Sequence, residues 1–185
     1  MSLEEAIAGR RSVRRYQGEP LSLSHLSQVL WAAQGITDAR GLRAAPSAGA
    51  TYPLEVFAVV GNVEGLEAGI YHYDVKNHSL GLHKEGDRRR ELAHAALNQE
   101  FIAQVPVDIV ICALYERTCR HYGRRGEKYV HMDVGHAGEN VSLQAVALGL
   151  ATVIVGAFED EQVSMVMALA EEVKPLYIIP VGKPG

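Results

Sequence analysis

Leu23, Leu26, Val29, Leu30 and Ala33 fall at i, i+3, i+6, i+7 and i+10, which draws one apolar stripe along a helix. Ser22 or Ser24 supplies an N-cap and Gly35 a stop, so the pattern predicts a helix over 22–35. The apolar run Leu54–Val60, ending at Gly61, suits a buried strand, and so does Val107–Leu114, opened by Pro106. Residues 69–73 and 79–83, separated by a polar turn, predict a hairpin, and 88–97 a helix. From about 127 to 150, Val130, Val134, Ala137, Val141, Ala145 and Leu148 form one stripe that Met132, Leu143, Val146 and Leu150 thicken. That predicts a helix apolar over most of its circumference, with one narrow polar stripe of Asp133, His136, Asn140 and Gln144. Residues 151–155 then read as a strand, 160–169 as a helix and 176–181 as a last strand. Strands and helices alternate without a strict βαβ rhythm, which predicts a single α+β layered domain over 1–185.

Composition narrows the class without changing that picture. The 185 residues are 48% hydrophobic and 22% charged with a net charge of -4, which is globular and makes nucleic acid a poor main partner. Cys112 and Cys119 are too few for a disulfide framework and lack metal-ligand spacing, which favours a reducing compartment. The first fifteen residues have no apolar core of a signal peptide, and no run reaches the length of a membrane span. A cytoplasmic protein with no membrane partner is expected.

Three segments offer chemistry. Arg10-Arg11-Ser12-Val13-Arg14 brings two guanidiniums together whether it is extended or helical, with a hydroxyl between them. Forked donors suit a phosphate; a solvated basic surface is the alternative. The small residues Pro46, Ser47, Ala48, Gly49 and Ala50, running on to Tyr52 and Pro53, leave backbone open to a flat group, or form an ordinary connection. Val155-Gly156-Ala157 lies between a strand and a helix start, where backbone amides point at an acceptor, as in many crossovers that bind nothing. His131 and His136 are about 140° apart round a helix and cannot share one ion without a third element, so no metal is expected and the polar stripe reads as satisfied polar groups. Residues 115–128, with four arginines and with Tyr115 and Tyr122, read as a polar loop, either a lid or a solvated connection.

The order and spacing of these segments resemble the FMN-dependent nitroreductase family, and within it the SagB-type dehydrogenase branch. The family pattern is R-R-S-x-R, a P-S-x-x-x-x-x-P loop, R-G-x-[KR]-Y at the entry to a long helix, G-L-x-x-x-x-V-G-x-F and a terminal P-V-G-x-P. Here these are Arg10 to Arg14, Pro46-Ser47 to Pro53, Arg125 to Tyr129, Gly149-Leu150 to Phe158 and Pro180 to Pro184. The resemblance implies a mainly antiparallel central sheet flanked by helices, with a long buried central helix. It implies a homodimer with FMN at the subunit interface. Arg10, Arg11, Ser12 and Arg14 would hold the phosphate and ribityl chain. Pro46 to Ala50 would approach from the second subunit, and Val155, Gly156 and Ala157 would lie along the ring with the Gly156 amide near N5. Many relatives carry a cation for the phosphate beyond the last strand; here the chain stops at Gly185, and the resemblance would make Lys183 the substitute.

The activity so implied passes hydride from NAD(P)H through FMN to a small flat electron acceptor, a nitroaromatic or quinone. No G-x-G-x-x-G occurs, so donor and acceptor would share one pocket by a ping-pong mechanism. Chemistry borne by the flavin needs no nucleophile; Tyr52 and Tyr122 are candidate proton sources. Lys128 and Tyr129 match a pair used by some azoline-oxidising relatives, or simply pack at the helix entry. The alternatives are a dehydrogenase of azoline-type or other substrates that does not use NAD(P)H, and a flavin-binding module without turnover.

Overall fold

The computed structural model describes all residues, 1–185. One six-stranded sheet in the order β3-β2-β1-β4-β6-β5 divides the core. Its strands are β1 (Leu54–Val60), β2 (Gly69–Asp74), β3 (Ser79–Glu85), β4 (Val107–Leu114), β5 (Ala151–Thr152) and β6 (Val173–Gly182). Every neighbouring pair is antiparallel. β1 and β4 lie at the centre, paired from Leu54–Ala113 to Val60–Val107, as their continuous apolar runs require.

Alternation along the central strands feeds two cores. Val56, Ala58, Ile109 and Ile111 face α2 (Leu23–Gln34) and α6 (Gly126–Ala147). Phe57, Val59, Val110 and Cys112 face α3 (Arg89–Ala95), α4 (Phe101–Gln104) and α7 (Asp160–Met167). The result is the α+β layered domain expected, helices on both faces of an antiparallel sheet. No helix is long and apolar enough to cross a membrane.

One element was not anticipated and three local expectations are corrected. The first fifteen residues contain α1 (Leu3–Gly9), nucleated by a capping box in which the Ser2 hydroxyl and Glu5 carboxylate satisfy each other's backbone amides. The basic segment after it is neither strand nor helix; Ser12 forms one isolated parallel bridge with Thr152, and Val13 N donates to Thr152 O. Residues 115–122 are a helix, α5 (Tyr115–Tyr122), followed by a 3-10 turn, Gly123–Arg125. The polar sequence concealed it, because only Thr118 is buried while Glu116 and Arg120 pair across one turn at 2.7 Å. β5 stops at Thr152, and Val155 returns to the sheet edge by an isolated bridge to Ile178.

The central helix is less enclosed than its composition suggests. Val130, Val134, Ala137, Gly138, Val141 and Ala145 are buried, whereas Lys128, Met132, His136 and Glu139 are exposed and a Cβ on Gly135 would meet nothing within 4 Å. This leaves one open arc of α6 running past the candidate site.

Candidate functional site

The basic segment is laid against the sheet edge by backbone bonds at both ends. Arg10 caps α1, its amide donating to Ala6 O, and its guanidinium lies 3.9 Å from Glu139 on α6. Gln17 N donates to Lys183 O and Gly185 N to Arg15 O, so the segment runs beside the C-terminal residues. Arg11 folds back onto the carbonyls of Ala8 and Arg10, at 3.0 and 2.6 Å. Arg14 is exposed and makes no hydrogen bond through its side chain, and the Lys183 ammonium is paired with Glu19.

Thr152, which bridges Ser12, leads directly into Val155-Gly156-Ala157. Val155 exchanges both backbone bonds with Ile178, at 2.9 and 3.0 Å. Behind the next residues, Gln99 Nε2 donates to Ala157 O and Glu159 N to Ala95 O, which fixes the turn from its rear. The amides of Gly156 and Ala157 are left without a partner in the chain, and both residues are exposed. Unpaired adjacent amides at a surface are a ready binding element for an acceptor atom.

The small-residue loop is built differently. Ser47 Oγ accepts from Tyr52 N, and Ala50 N and Thr51 N donate to Ser47 O and Ala48 O, forming a 3-10 turn, Ala48–Ala50. Gly49, Ala50 and Tyr52 have φ of 58°, 52° and 45°, three left-handed positions broken only by Thr51, and two of the three carry a Cβ. Such strain persists only where the surroundings over-determine it, and it gathers at functional sites. The polar stripe of α6 supplies that restraint. Asn140 Nδ2 donates to Ala32 O and Ala44 O at 3.1 and 3.2 Å, and buried Asp133 faces the Ser47 hydroxyl and Ala48 amide, with its Oδ2 left without a partner. Burial raises the pKa of Asp133 above the usual carboxylate value, and those two donors draw it part of the way back.

From the other side Tyr122, near the end of α5, covers Gly49 so closely that a Cβ there would stand 2.5 Å from Tyr122 Oη. Tyr122 stacks edge-on against Tyr129 at 5.0 Å, and Arg125 Nε donates to the Tyr129 hydroxyl. Lys128 projects from the exposed side of the same turn without a partner. Tyr52 turns the opposite way: its hydroxyl accepts from Arg43 N, its ring lies 4.5 Å beneath the Arg43 guanidinium, and its carbonyl accepts from Arg117. Of the two tyrosines, Tyr122 is therefore the one beside the small residues of the loop.

The first and third segments thus come together on one protomer, and the second does not join them. Gly138 packs against Ile154 and Tyr177, while Asp133 faces the loop, and the two positions are about 140° apart round α6. Buried Val130, Val134, Ala137 and Val141 fill that sector, and the open arc of Lys128, Met132, Gly135 and Glu139 lies in the wider remaining one, between the same two positions on the solvent side.

Sequence reasoning passed over a second polar cluster, at the back of Tyr52. Glu55, in an otherwise apolar strand, pairs with Arg117 at 2.5 Å and with His72 at 2.6 Å. Burial pushes the Glu55 carboxyl up, but His72 and Arg117 together carry it below its ordinary value. The one charged position in Leu54–Val60 was the available signal.

The nitroreductase family model matches residues 7–183. A candidate nitroreductase of Methanocaldococcus jannaschii is 49% identical over 183 residues, covering 99% of this chain and 91% of its own. The microcin B17-processing protein McbC of Escherichia coli is 28% identical over 141 residues, covering 72% of this chain and 51% of its own. Among solved structures, a candidate nitroreductase of Ralstonia eutropha superposes with a TM-score of 0.87 at 28% identity, covering 100% of this chain and 84% of that one. A chain of the Escherichia coli microcin synthetase McbBCD complex does so at 0.81 and 25% identity, covering 92% and 67%. With the fold, the family model and a relative of nearly equal length in agreement, the chain belongs to the nitroreductase family.

Proposed function

We propose that this protein is an FMN-dependent oxidoreductase that works as a homodimer, taking hydride from NAD(P)H and delivering it to a small flat acceptor such as a quinone or nitroaromatic. The observation that carries the reading is the pair of free amides at Gly156 and Ala157, a few residues beyond Thr152, to which the segment of the unpartnered Arg14 is bridged, an arrangement suited to a flat acceptor-rich ring with a phosphate tail. When bound, FMN would supply two-electron transfer between donor and acceptor.

The residues of this chain would divide the work. Arg10, Ser12 and Arg14 hold the phosphate end, with Arg11 and Lys183 available once released from Ala8, Arg10 and Glu19. Gly156 and Ala157 orient the ring through their amides, and Val155 backs them with its bonds to Ile178. Pro46, Ser47, Ala48, Gly49 and Ala50 of a second copy cover the ring. The open arc of α6 supports that division: within one protomer it separates the loop from Gly156, and facing arcs of two protomers bring them together. Tyr122, over Gly49, is placed to hold or give a proton at its hydroxyl, whereas the Tyr52 hydroxyl is engaged with Arg43. With one pocket serving donor and acceptor in turn, initial rates should give parallel lines.

Subunit mixing tests the division. Arg14→Ala and a loop variant such as Ala48→Trp should each bind little flavin. In their co-expressed heterodimer one of the two sites carries both lesions and the other neither, so about half the flavin should return. Full flavin occupancy of Arg14→Ala alone would end the phosphate assignment.

A second reading has its own support. The likeness to McbC, together with Lys128 exposed beside Tyr129, fits an azoline-type dehydrogenase that takes no electrons from NAD(P)H. Failure of both NADH and NADPH to bleach the bound flavin would favour it.

A further inference from the structure

Behind Tyr52 lies a cleft of about 610 Å³ lined by Arg43, Tyr52, Glu55, His72, Lys76 and Arg117, with Thr51, Leu54, Tyr73, Asp74 and Val75 completing its walls. Its volume falls in the range of small-molecule sites, and it is far larger than a lone carboxylate or phosphate needs. Its charges are unevenly satisfied. Glu55 is held between Arg117 and His72. Asp74 takes the amides of Lys76 and Asn77 and the Asn77 side chain, at 3.0, 3.2 and 2.6 Å. The cations are not so occupied: Arg43 uses only Nη1, on Gln34 at 2.8 Å, and the Lys76 ammonium bonds to nothing in the chain. Arg43 is also fixed in direction, held over the Tyr52 ring and bonded to Gln34, so its remaining donors are already oriented.

We propose that this cleft is a subsite for the phosphate-bearing half of the nucleotide hydride donor, with Arg43 and Lys76 as its phosphate ligands; the assignment to the donor rests on the oxidoreductase reading above. Forked guanidinium donors and a mobile ammonium match phosphate oxygens. Leu54, Val75 and the face of Tyr73 offer apolar wall to a sugar or base. Position ties the cleft to the loop. Tyr52 forms one of its walls and, through its amide, is bonded to Ser47 of the loop that would cover the flavin. Arg117 stands on α5, the helix that lays Tyr122 over Gly49. A ligand with its redox ring beneath the loop and its phosphates in the cleft would touch both sides of Tyr52.

The test is calorimetric titration of the purified protein with ADP and, separately, with inorganic phosphate, for the native chain, Lys76→Glu and Arg43→Gln. Lys76 is exposed and unpaired, so its variant should fold as the native protein does. ADP should bind the native protein, bind about tenfold more weakly to each variant, and outbind phosphate. In steady state the KM for NAD(P)H should rise by a similar factor, with kcat, acceptor KM and flavin content unchanged. No binding of ADP, or equal binding to all three proteins, overturns the subsite. Phosphate binding as tightly as ADP overturns its assignment to a nucleotide donor. ADP binding that depends on Arg43 and Lys76 in a protein that takes up no flavin upholds the phosphate ligands and overturns the oxidoreductase reading instead.

Discussion

Tyr122 closes over Gly49 so tightly that a side chain there has no room, and this makes a quantitative prediction. Gly49 has φ of 58°, and an alanine there costs about 1–2 kcal/mol for its backbone alone. Its Cβ would also stand 2.5 Å from Tyr122 Oη, well inside the ~3.5 Å of an unstrained contact. Removing that oxygen leaves Cζ at 3.2 Å as the nearest atom, a contact that a small shift relieves. Gly49→Ala should therefore cost about 2–3 kcal/mol in the native chain and about 1–2 kcal/mol beside Tyr122→Phe, a coupling of about 1 kcal/mol. Urea unfolding of the four proteins at one fixed protein concentration reads this directly, as a shift in midpoint with unchanged slope. In thermal melts the coupling is about 2–4 °C for a chain of this length. An equal penalty in both backgrounds would show that Tyr122 does not rest on Gly49, and the loop would lose its cover.

Asp108 is wholly buried on β4 with both carboxylate oxygens unpartnered, and burial raises its pKa well above 3.8. Between that unfolded value and its raised folded one the native state holds the extra proton, so stability should fall as pH rises across the window and be flat beyond it. Asp108→Asn should flatten this slope in urea midpoints taken from pH 4 upward; identical slopes in the two proteins would refute it. Gly135→Arg places a side chain where one protomer has open space, so a lone protomer should fold at least as stably, helix propensity favouring arginine by about 1 kcal/mol. If the open arc of α6 is a dimer face, the same change should convert dimer to monomer in light scattering and empty the flavin site. Asp133→Ala, which removes the buried carboxyl facing Ser47 and Ala48, should lower flavin retention and leave helix content by circular dichroism unchanged; full retention would mean that the α6 stripe does not hold the loop.

The buried strands were the most legible part of the fold, because a strand enclosed on both faces writes a continuous apolar run with Gly or Pro at its end. Leu54–Val60 and Val107–Leu114 fall where that pattern puts them. α5 was illegible for the opposite reason: a helix with one buried residue has no stripe, and its stability comes from packing on α6 and from surface pairs. α1 left a signal that composition obscured, the Ser2–Glu5 capping box. At the site, the three sequence segments were readable as segments, but not their placement. That Asp133 faces the loop while Gly138 backs the Gly156 turn depends on the angle between two positions of one helix and on what folds against each. The cluster of Arg43, Glu55, His72 and Arg117 comes from a loop, two strands and a helix, and the lone charge in Leu54–Val60 marked only one of its members.

The central claim is that Arg10 to Arg14 and Val155 to Ala157 of one subunit, with the loop of its partner, form an FMN site. The most direct test is the visible absorbance spectrum of the purified protein with identification of the chromophore that heat releases. The account predicts a flavin spectrum and one FMN per protomer, either as purified or after incubation with FMN. A colourless protein that takes up no added FMN would contradict it and return the arginines to a solvated surface.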